Sequence, residues 1–290
     1  MRELKSALDL VELDQIEENV FVGPSTDLNF GHIFGGQAVG QALQAAARTV
    51  NGDRVAHSLH SYFLRAGDPN APVLYQVSRI RDGGSFTTRH VQGIQHGRPI
   101  FDLSASFQVQ EPGLEHQVGM PEVPPPESLK NYRELSEAMD RVPRRLEAPL
   151  LWDRIIDYRP VDPEDKFYTE AMPAERAVWM RVRDQLPDEP NLHRAVLAGA
   201  SDFELLWTFM HPHIPEAKAR NVTIQAASLD HAVWFHRPFS VNEWLLYSME
   251  SPNGSNARGL IYGRLFNQSG ELVASIAQEA LLRPREKKTG

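Results

Sequence analysis

Three polar side chains in the second half of this 290-residue chain stand where an apolar core is expected. Asp202 lies in a helical stretch between Ala195 and Ala198 on one side and Leu205 and Phe209 on the other, all on its own stripe. Gln278 alone interrupts the alternating face Leu272, Ala274, Ile276, Ala280 and Leu282. Ser228 shares its parity with Val222, Ile224, Ala226, Ala232 and Trp234. Burial penalises the charged form of a carboxylate and raises its pKa, which moves Asp202 toward the range of a general base. A carboxylate, a hydroxyl and a carboxamide can together hold a water molecule and take its proton. Each also has a structural use, since a buried polar group needs hydrogen-bond partners whatever its role. What favours chemistry is their coincidence in one half, on a helix and on strands that can face it.

Other chemistries find less support. With no cysteine, the chain has no disulfide, no thiolate nucleophile and no Cys-ligated metal. His57 and His60 differ in parity, His211 and His213 flank a proline, and His231 and His236 are five apart on an expected strand. None has metal-ligand spacing, so neither a metal nor another cofactor is expected. The Gly-X-Ser-X-Gly elbow, the phosphate loop and the dinucleotide fingerprint are absent from the sequence. A balance of 30 basic and 38 acidic side chains, net −8, argues against a nucleic-acid partner. No apolar run approaches the ~20 residues of a membrane span, and the first residues lack a signal core. A cytoplasmic address with no membrane association is the expectation. Arg79, Arg81, Arg89 and Arg258, near strand ends, suit either phosphate contacts or a solvated face.

The helix and strands that carry these residues have a second copy earlier in the chain. The segment from Ser228 through Pro238 echoes the one from His57 through Arg65, and alternating runs follow both. At a fixed offset of 171, His60 matches His231, Phe101 matches Leu272 and Phe107 falls at the place of Gln278. In the first half we expect a short amphipathic helix within 3–20, a helix over 36–50, and strands near 55–65, 72–81, 86–96 and 100–110. Turns are expected at Asp82-Gly83-Gly84-Ser85 and at Gly97. Small residues at Ala38, Ala42 and Ala45 allow close approach to that helix. The second half repeats the plan with strands near 153–160 and 176–184, a helix over 191–210, and strands near 222–236, 243–250, 256–267 and 271–282. Its turns are expected at Asn253-Gly254-Ser255 and Gly270. The second helix is apolar almost all round and therefore reads as buried. The Pro-rich stretch after residue 112, with a polar helix over 128–145, reads as a connector. The fold class is α+β: a double hotdog, two tandem repeats each with a long central helix wrapped by a curved antiparallel sheet. The divisions are 1–112, 113–150 and 151–290, the last carrying the catalytic set, and the junction of two diverged copies invites a site.

Certain blocks resemble the acyl-CoA thioesterase II family of double-hotdog hydrolases. They are Phe34-Gly35-Gly36-Gln37, His57 through Arg65, Ala200-Ser201-Asp202, Leu229-Asp230-His231, Trp234 through Pro238, Ala274-Ser275 and Gln278-Glu279, and the likeness runs from about Leu4 to Arg283. The resemblance implies hydrolysis of medium- to long-chain fatty acyl-CoA to free acid and CoA, with no metal and no covalent intermediate. It also implies assembly as a homo-oligomer. The family's Asp, Thr and Gln fall on Asp202, Ser228 and Gln278, with Ser228 in place of the usual Thr. The entry to the first helix at Gly35-Gly36 is a candidate oxyanion donor, and tight packing explains it as well; His57 matches a family His of less certain role. Two other readings stay open: a hotdog enoyl-thioester hydratase or dehydratase, which pairs an acid with a His, and an acyl-CoA-binding module without activity.

The departure at Ser228 generates a prediction. The missing β-methyl leaves χ1 freer, so Ser228→Thr is expected to preserve or modestly raise kcat, and Ser228→Ala to lower it. Steady-state kinetics of the three proteins check this order, and an Ala variant as active as the Thr variant contradicts it.

Overall fold

Alternating apolar residues need a cover for their buried face, and in this protein two long helices supply it. The computed structural model describes residues 5–26, 31–137, 139, 147–161 and 172–286. A 3-10 turn at Ala7–Leu10, closed by reciprocal capping between Ser6 and Asp9, precedes β1 (Asp14–Glu17) and β2 (Val20–Gly23). Next come α1 (Gly35–Ala47), β3 (Arg54–Phe63), β4 (Val73–Asp82), β5 (Phe86–Gln95) and β6 (Arg98–Val109). Two short helices, α2 (Tyr132–Glu137) and α3 (Glu147–Trp152), lead to β7 (Ile156–Pro160), β8 (Glu175–Val182) and α4 (Pro190–Met210). The chain closes with α5 (Ile214–Ala219), β9 (Val222–Ser228), β10 (Asp230–Phe235), β11 (Leu245–Ser255), β12 (Arg258–Asn267) and β13 (Leu272–Glu286).

Among the described residues, thirteen strands belong to one antiparallel sheet, in the order β1-β2-β4-β5-β6-β3-β10-β13-β12-β11-β8-β7, with β9 continuing along β13. The halves are thus joined edge to edge. Strands β3 and β10 pair over Tyr62 to Ser58 against Asp230 to Trp234, and Ser61 Oγ–H adds a 2.8 Å bond to the His231 carbonyl. Joining the two edges hides a row of N–H and C=O groups that each half would otherwise present to solvent.

Across this joint His60 opposes Ala232, and their outer neighbours are Ser104 and Ala277 respectively. The two-fold relation of the halves therefore makes Ala232 the counterpart of His60 and Ala277 that of Ser104. The match at a fixed offset of 171 slips by one residue here and by two in the last strand. One step along, His231 takes the place of Leu59 and Gln278 that of Ala105, not of Phe107. Phe107 pairs with Ala56 as Ala280 pairs with Ser228, so Ser228 replaces Ala56.

Three further expectations are corrected. The amphipathic helix within 3–20 is only the 3-10 turn before a β-hairpin, with residues 3 and 4 outside the described residues. The helix over 128–145 appears only as Tyr132–Glu137, and 138 and 140–145 lie outside the described residues. The turn at Asn253-Gly254-Ser255 falls later, at Asn256 and Ala257, which both adopt positive φ, because a bulge between Glu250 and Asn253 lengthens β11.

Helix α4 is buried along nearly its whole length, but it also buries His193, Arg194, Ser201, Asp202, Glu204 and Thr208. Glu204 is matched by Arg176 of β8 at 3.1 Å and by the Tyr132 hydroxyl at 2.9 Å, which ties α2 to the second set of strands. The two long helices touch each other through glycine. A Cβ on Gly36 would lie 2.1 Å from the Gly199 carbonyl oxygen, so the backbones of α1 and α4 are in direct contact. This close approach to α4 falls on Gly36 and Gly40.

Gly36→Ala is expected to force the helices apart, at a cost of roughly 1–3 kcal/mol, the range for overpacking a close contact. Urea unfolding of both proteins measures it; an unchanged midpoint would mean that the helix contact is not a constraint.

Candidate active site

Asp202 occupies the turn of α4 that crosses the start of α1. That turn is pinned from the sheet side: the Tyr158 hydroxyl donates to the Ala200 carbonyl at 3.2 Å and the Tyr247 hydroxyl to the Ser201 carbonyl at 3.0 Å. The carboxylate is 6% exposed. Its Oδ1 accepts from the Ser228 hydroxyl at 3.3 Å, and the Gly36 N–H also donates to the carboxyl group. Gly35 makes this possible by being small, since a Cβ there would sit 2.9 Å from Asp202 Oδ2 and 2.8 Å from the Phe63 ring. The carboxylate thus lies at the positive end of α1, where unsatisfied helical N–H groups favour an anion.

The strands bring the rest. Gln278 of β13 is fully buried and its Nε2 donates to Ser228 Oγ at 2.9 Å. Its Oε1 lies 2.6 Å from His231 Nδ1, and His231 Nε2 lies 3.0 Å from Ser201 Oγ. Asp202, Ser228 and Gln278, expected from the sequence to act together, are in mutual contact. His231 is an additional member of the network.

Parity hid His231. An even-numbered buried face running unbroken from Val222 to Trp234 would turn residue 231 outward. Instead the chain bulges at Leu229: Ser228 pairs with Ala280, but Ala232 pairs with Ala277, one residue short of even spacing. Leu229 N–H donates to the Glu279 carbonyl and Glu279 N–H to the Asp230 carboxylate at 2.7 Å, which holds the bulge. Beyond it the odd residues His231, Val233 and Phe235 are buried and Ala232 and Trp234 are not. The first half bulges at the corresponding place, between Ala56 and Ser58. The bulged residue there is His57, whose ring bonds Ser106 Oγ at 2.7 Å and meets Phe86 edge-on. Neither contact belongs to the network, so His57 is not brought to the site. Because both copies carry the bulge, the offset between them is the same on either side of it, and the repeat alone does not expose it.

Burial raises the Asp202 pKa above the usual carboxylate value, opposed by the proximity of His231 and by hydrogen bonds from Ser228, Gly36 and Gln278. Burial lowers the pKa of His231, opposed mainly by Asp202. The result is a carboxylate strengthened as a base beside an imidazole held neutral. Asp202 and Ser228 open onto a cavity of about 710 Å³ whose apolar walls include Phe34, Phe63, Phe203, Leu206, Trp207 and Ala226. Both halves line it, as expected for a junction site. Arg79, Arg89 and Arg258 are held by Glu18, Asp82 and Glu279, respectively. Among the described residues no cluster of three or more His, Cys, Asp or Glu could hold a metal, and no helix is long and apolar enough to cross a membrane.

A family described as acyl-CoA thioesterase matches residues 152–281, and one described as the acyl-CoA thioesterase N-terminal domain matches 24–108. Human acyl-coenzyme A thioesterase 8 is 41% identical, over 97% of this chain and 90% of its own. The crystal structure of an acyl-CoA thioesterase II, TesB2, from Mycobacterium marinum is 40% identical, covers 97% of this chain and 99% of its own, and superposes with a TM-score of 0.79. A protein with a hot dog fold from Alicyclobacillus acidocaldarius is 19% identical with a TM-score of 0.75, covering 96% and 97% of the two chains, which is a likeness of fold alone.

The raised pKa of Asp202 carries a sign that can be measured. A carboxyl whose folded pKa exceeds its unfolded value favours the fold below the unfolded pKa, and that advantage is lost as pH rises through the folded pKa. Asp202→Asn is therefore expected to melt above wild type at neutral pH, with the gap closing below pH ~4, near the unfolded carboxyl pKa. Thermal unfolding at both pH values decides it. A variant no more stable than wild type at neutral pH would show that ionised Asp202 is not strained.

Proposed function

The chain belongs to the acyl-CoA thioesterase family, and we propose that its hydrolysis of fatty acyl-CoA to free acid and CoA is carried out by Asp202, Ser228 and Gln278 acting on one water molecule. The observation that carries this reading is a buried, strengthened carboxylate bonded to a hydroxyl at the wall of an apolar cavity. Asp202 takes a proton from the water as its oxygen attacks the thioester carbonyl. Ser228 faces the cavity beside Asp202 and orients the water. Gln278, wholly buried, uses one N–H for Ser228, and its other N–H serves the water and carboxylate side. Collapse of the tetrahedral adduct breaks the C–S bond, and the CoA thiolate leaves and recovers the proton held by Asp202. No covalent acyl-enzyme is needed.

The Gly36 N–H is already engaged with Asp202, which leaves it poorly placed as an oxyanion donor. The Gly35 N–H, at the first position of α1, has no intrahelical acceptor and borders the cavity, so it is the better candidate for the thioester oxygen. A hydratase would need an imidazole facing substrate. His231 lies behind Gln278 and does not line the cavity, and His32, which does line it, has its Nδ1 3.0 Å from the Ile33 carbonyl.

The same proposal extends to architecture and substrate. The continuous sheet with one long helix against each half supports a double hotdog, with halves 1–112 and 151–290 joined by 113–150. Medium- to long-chain acyl groups suit the walls formed by Phe203, Leu206 and Trp207 of α4 and Ala226 of β9. A homo-oligomer is the expected assembly, as the resemblance implies.

Thiol release measured across a series from butyryl-CoA to palmitoyl-CoA tests activity and range together. Asp202→Asn should lose ~10²–10⁴-fold in kcat, the usual contribution of a general base; near-wild-type turnover by a folded Asn variant excludes Asp202 from that role. Ala226→Phe should depress kcat/KM for palmitoyl-CoA more than for butyryl-CoA, and an equal loss on both would place the acyl chain elsewhere.

A further inference from the structure

His231 has no place in the mechanism above, yet it is 0% exposed and bonded at both ring nitrogens. Its role follows from a question of orientation. A glutamine amide can present either its NH₂ or its carbonyl oxygen to a neighbour, and the two faces have nearly the same shape. If Gln278 presented oxygen to Ser228, the buried carboxylate of Asp202 would face another acceptor and lose the Ser228 hydroxyl as a donor. If it presents NH₂, its Oε1 must be received at the far end by a group that donates. At 2.6 Å that group is His231 Nδ1, which can donate only when it carries a proton.

Ser201 decides which nitrogen carries that proton. Its hydroxyl lies 3.0 Å from both the Ala198 carbonyl and His231 Nε2. If the hydroxyl hydrogen points to Ala198, Nε2 must carry the proton and donate it to Ser201 Oγ or to the Ala198 carbonyl. The ring is then either doubly protonated in a fully buried place or has a bare Nδ1 facing the Gln278 oxygen. Leaving such a buried pair unmatched costs about 1–3 kcal/mol, and flipping Gln278 to relieve it strips Asp202 of its donor. Only one arrangement satisfies every group without a buried positive charge: Ser201 donates to Nε2, Nδ1–H donates to Gln278 Oε1, and the Gln278 NH₂ faces Ser228 and Asp202.

We propose that His231 is a positioning residue which, as the neutral Nδ1–H tautomer set by Ser201, locks the Gln278 amide in the orientation hydrolysis requires. The proposal rests on the reading of Asp202, Ser228 and Gln278 as the hydrolytic set. It also accounts for the asymmetry of the repeats, since Leu59 and Ala105, the counterparts of His231 and Gln278, are both apolar and buried. An amide introduced into a core needs a partner introduced with it.

The test separates donor chemistry from mere packing. The side-chain nitrogen of asparagine reaches the position of Nδ1, whereas that of glutamine reaches the position of Nε2. His231→Asn should therefore keep kcat on decanoyl-CoA within about threefold of wild type. His231→Gln and His231→Ala should lose on the order of 10–100-fold, the size of losses when the outer partner of a reacting group is removed, with KM little changed. Melting temperatures show whether each variant is folded. Long-range ¹H–¹⁵N spectra of histidine-labelled wild type, with the His231 signals assigned by their absence from the Asn variant, should show a neutral ring protonated at Nδ1. An Nε2–H ring, or a folded Ala variant with wild-type kcat, overturns the proposal. Asp202→Asn assayed in parallel keeps the failures distinct: if it turns over normally the hydrolytic reading fails, and if it is inactive while His231→Ala is not, only the role of His231 fails.

Discussion

The backbone contact between Gly36 and Gly199 is the constraint on which the site depends. A side chain at either position would collide with the other helix's carbonyl. With glycine at both, α1 and α4 meet closely enough for the first turn of α1 to reach Asp202, one turn along α4. That proximity gives the carboxylate a donor from Gly36 and a helix N-terminus to face. It also removes water, which is what raises the pKa of Asp202. A helix pair separated by ordinary side chains would leave the acid hydrated, with the pKa of a surface aspartate and little use as a base.

The sheet answers the helices. Each half would have an open edge at β3 or β10, and pairing these strands closes both while turning two sheets into one. The same joint brings Phe63 to the mouth of a cavity whose acid and hydroxyl come from the second half. Neither half alone encloses that space.

Duplication then allowed the halves to differ. Where the first half buries Ala56, Leu59 and Ala105, the second buries or half-buries Ser228, His231 and Gln278. The polar groups are tolerated because each has a partner: Asp202 to Ser228, Ser228 to Gln278, Gln278 to His231 and His231 to Ser201. A chain of satisfied bonds in a low-dielectric core is rigid, and rigidity is what a water-orienting site needs. The first half remains a plain core that supports the joint.

Periodicity could be read directly from the residues: two long helices, the alternating strands, the repeat, and Asp202, Ser228 and Gln278, which break an apolar pattern. These were legible because periods of 3.6 and 2 are local properties of the chain, and a polar residue on an apolar stripe is conspicuous within a few turns. The family blocks were legible as runs of contiguous residues that resemble those of a known family. Register, by contrast, was settled by strand pairing in the folded chain. A bulge adds one residue to a strand, and every side chain beyond it changes face, so parity placed His231 outside and Trp234 inside when the reverse is true. Differences in length between the copies, and not this shared bulge, misaligned the repeats at a fixed offset and set Phe107 in place of Ala105 opposite Gln278. The burial of His231, the removal of His57 from the site and the touching glycines depend on partners distant in sequence, and no pattern within one strand encodes which partner a bulge selects.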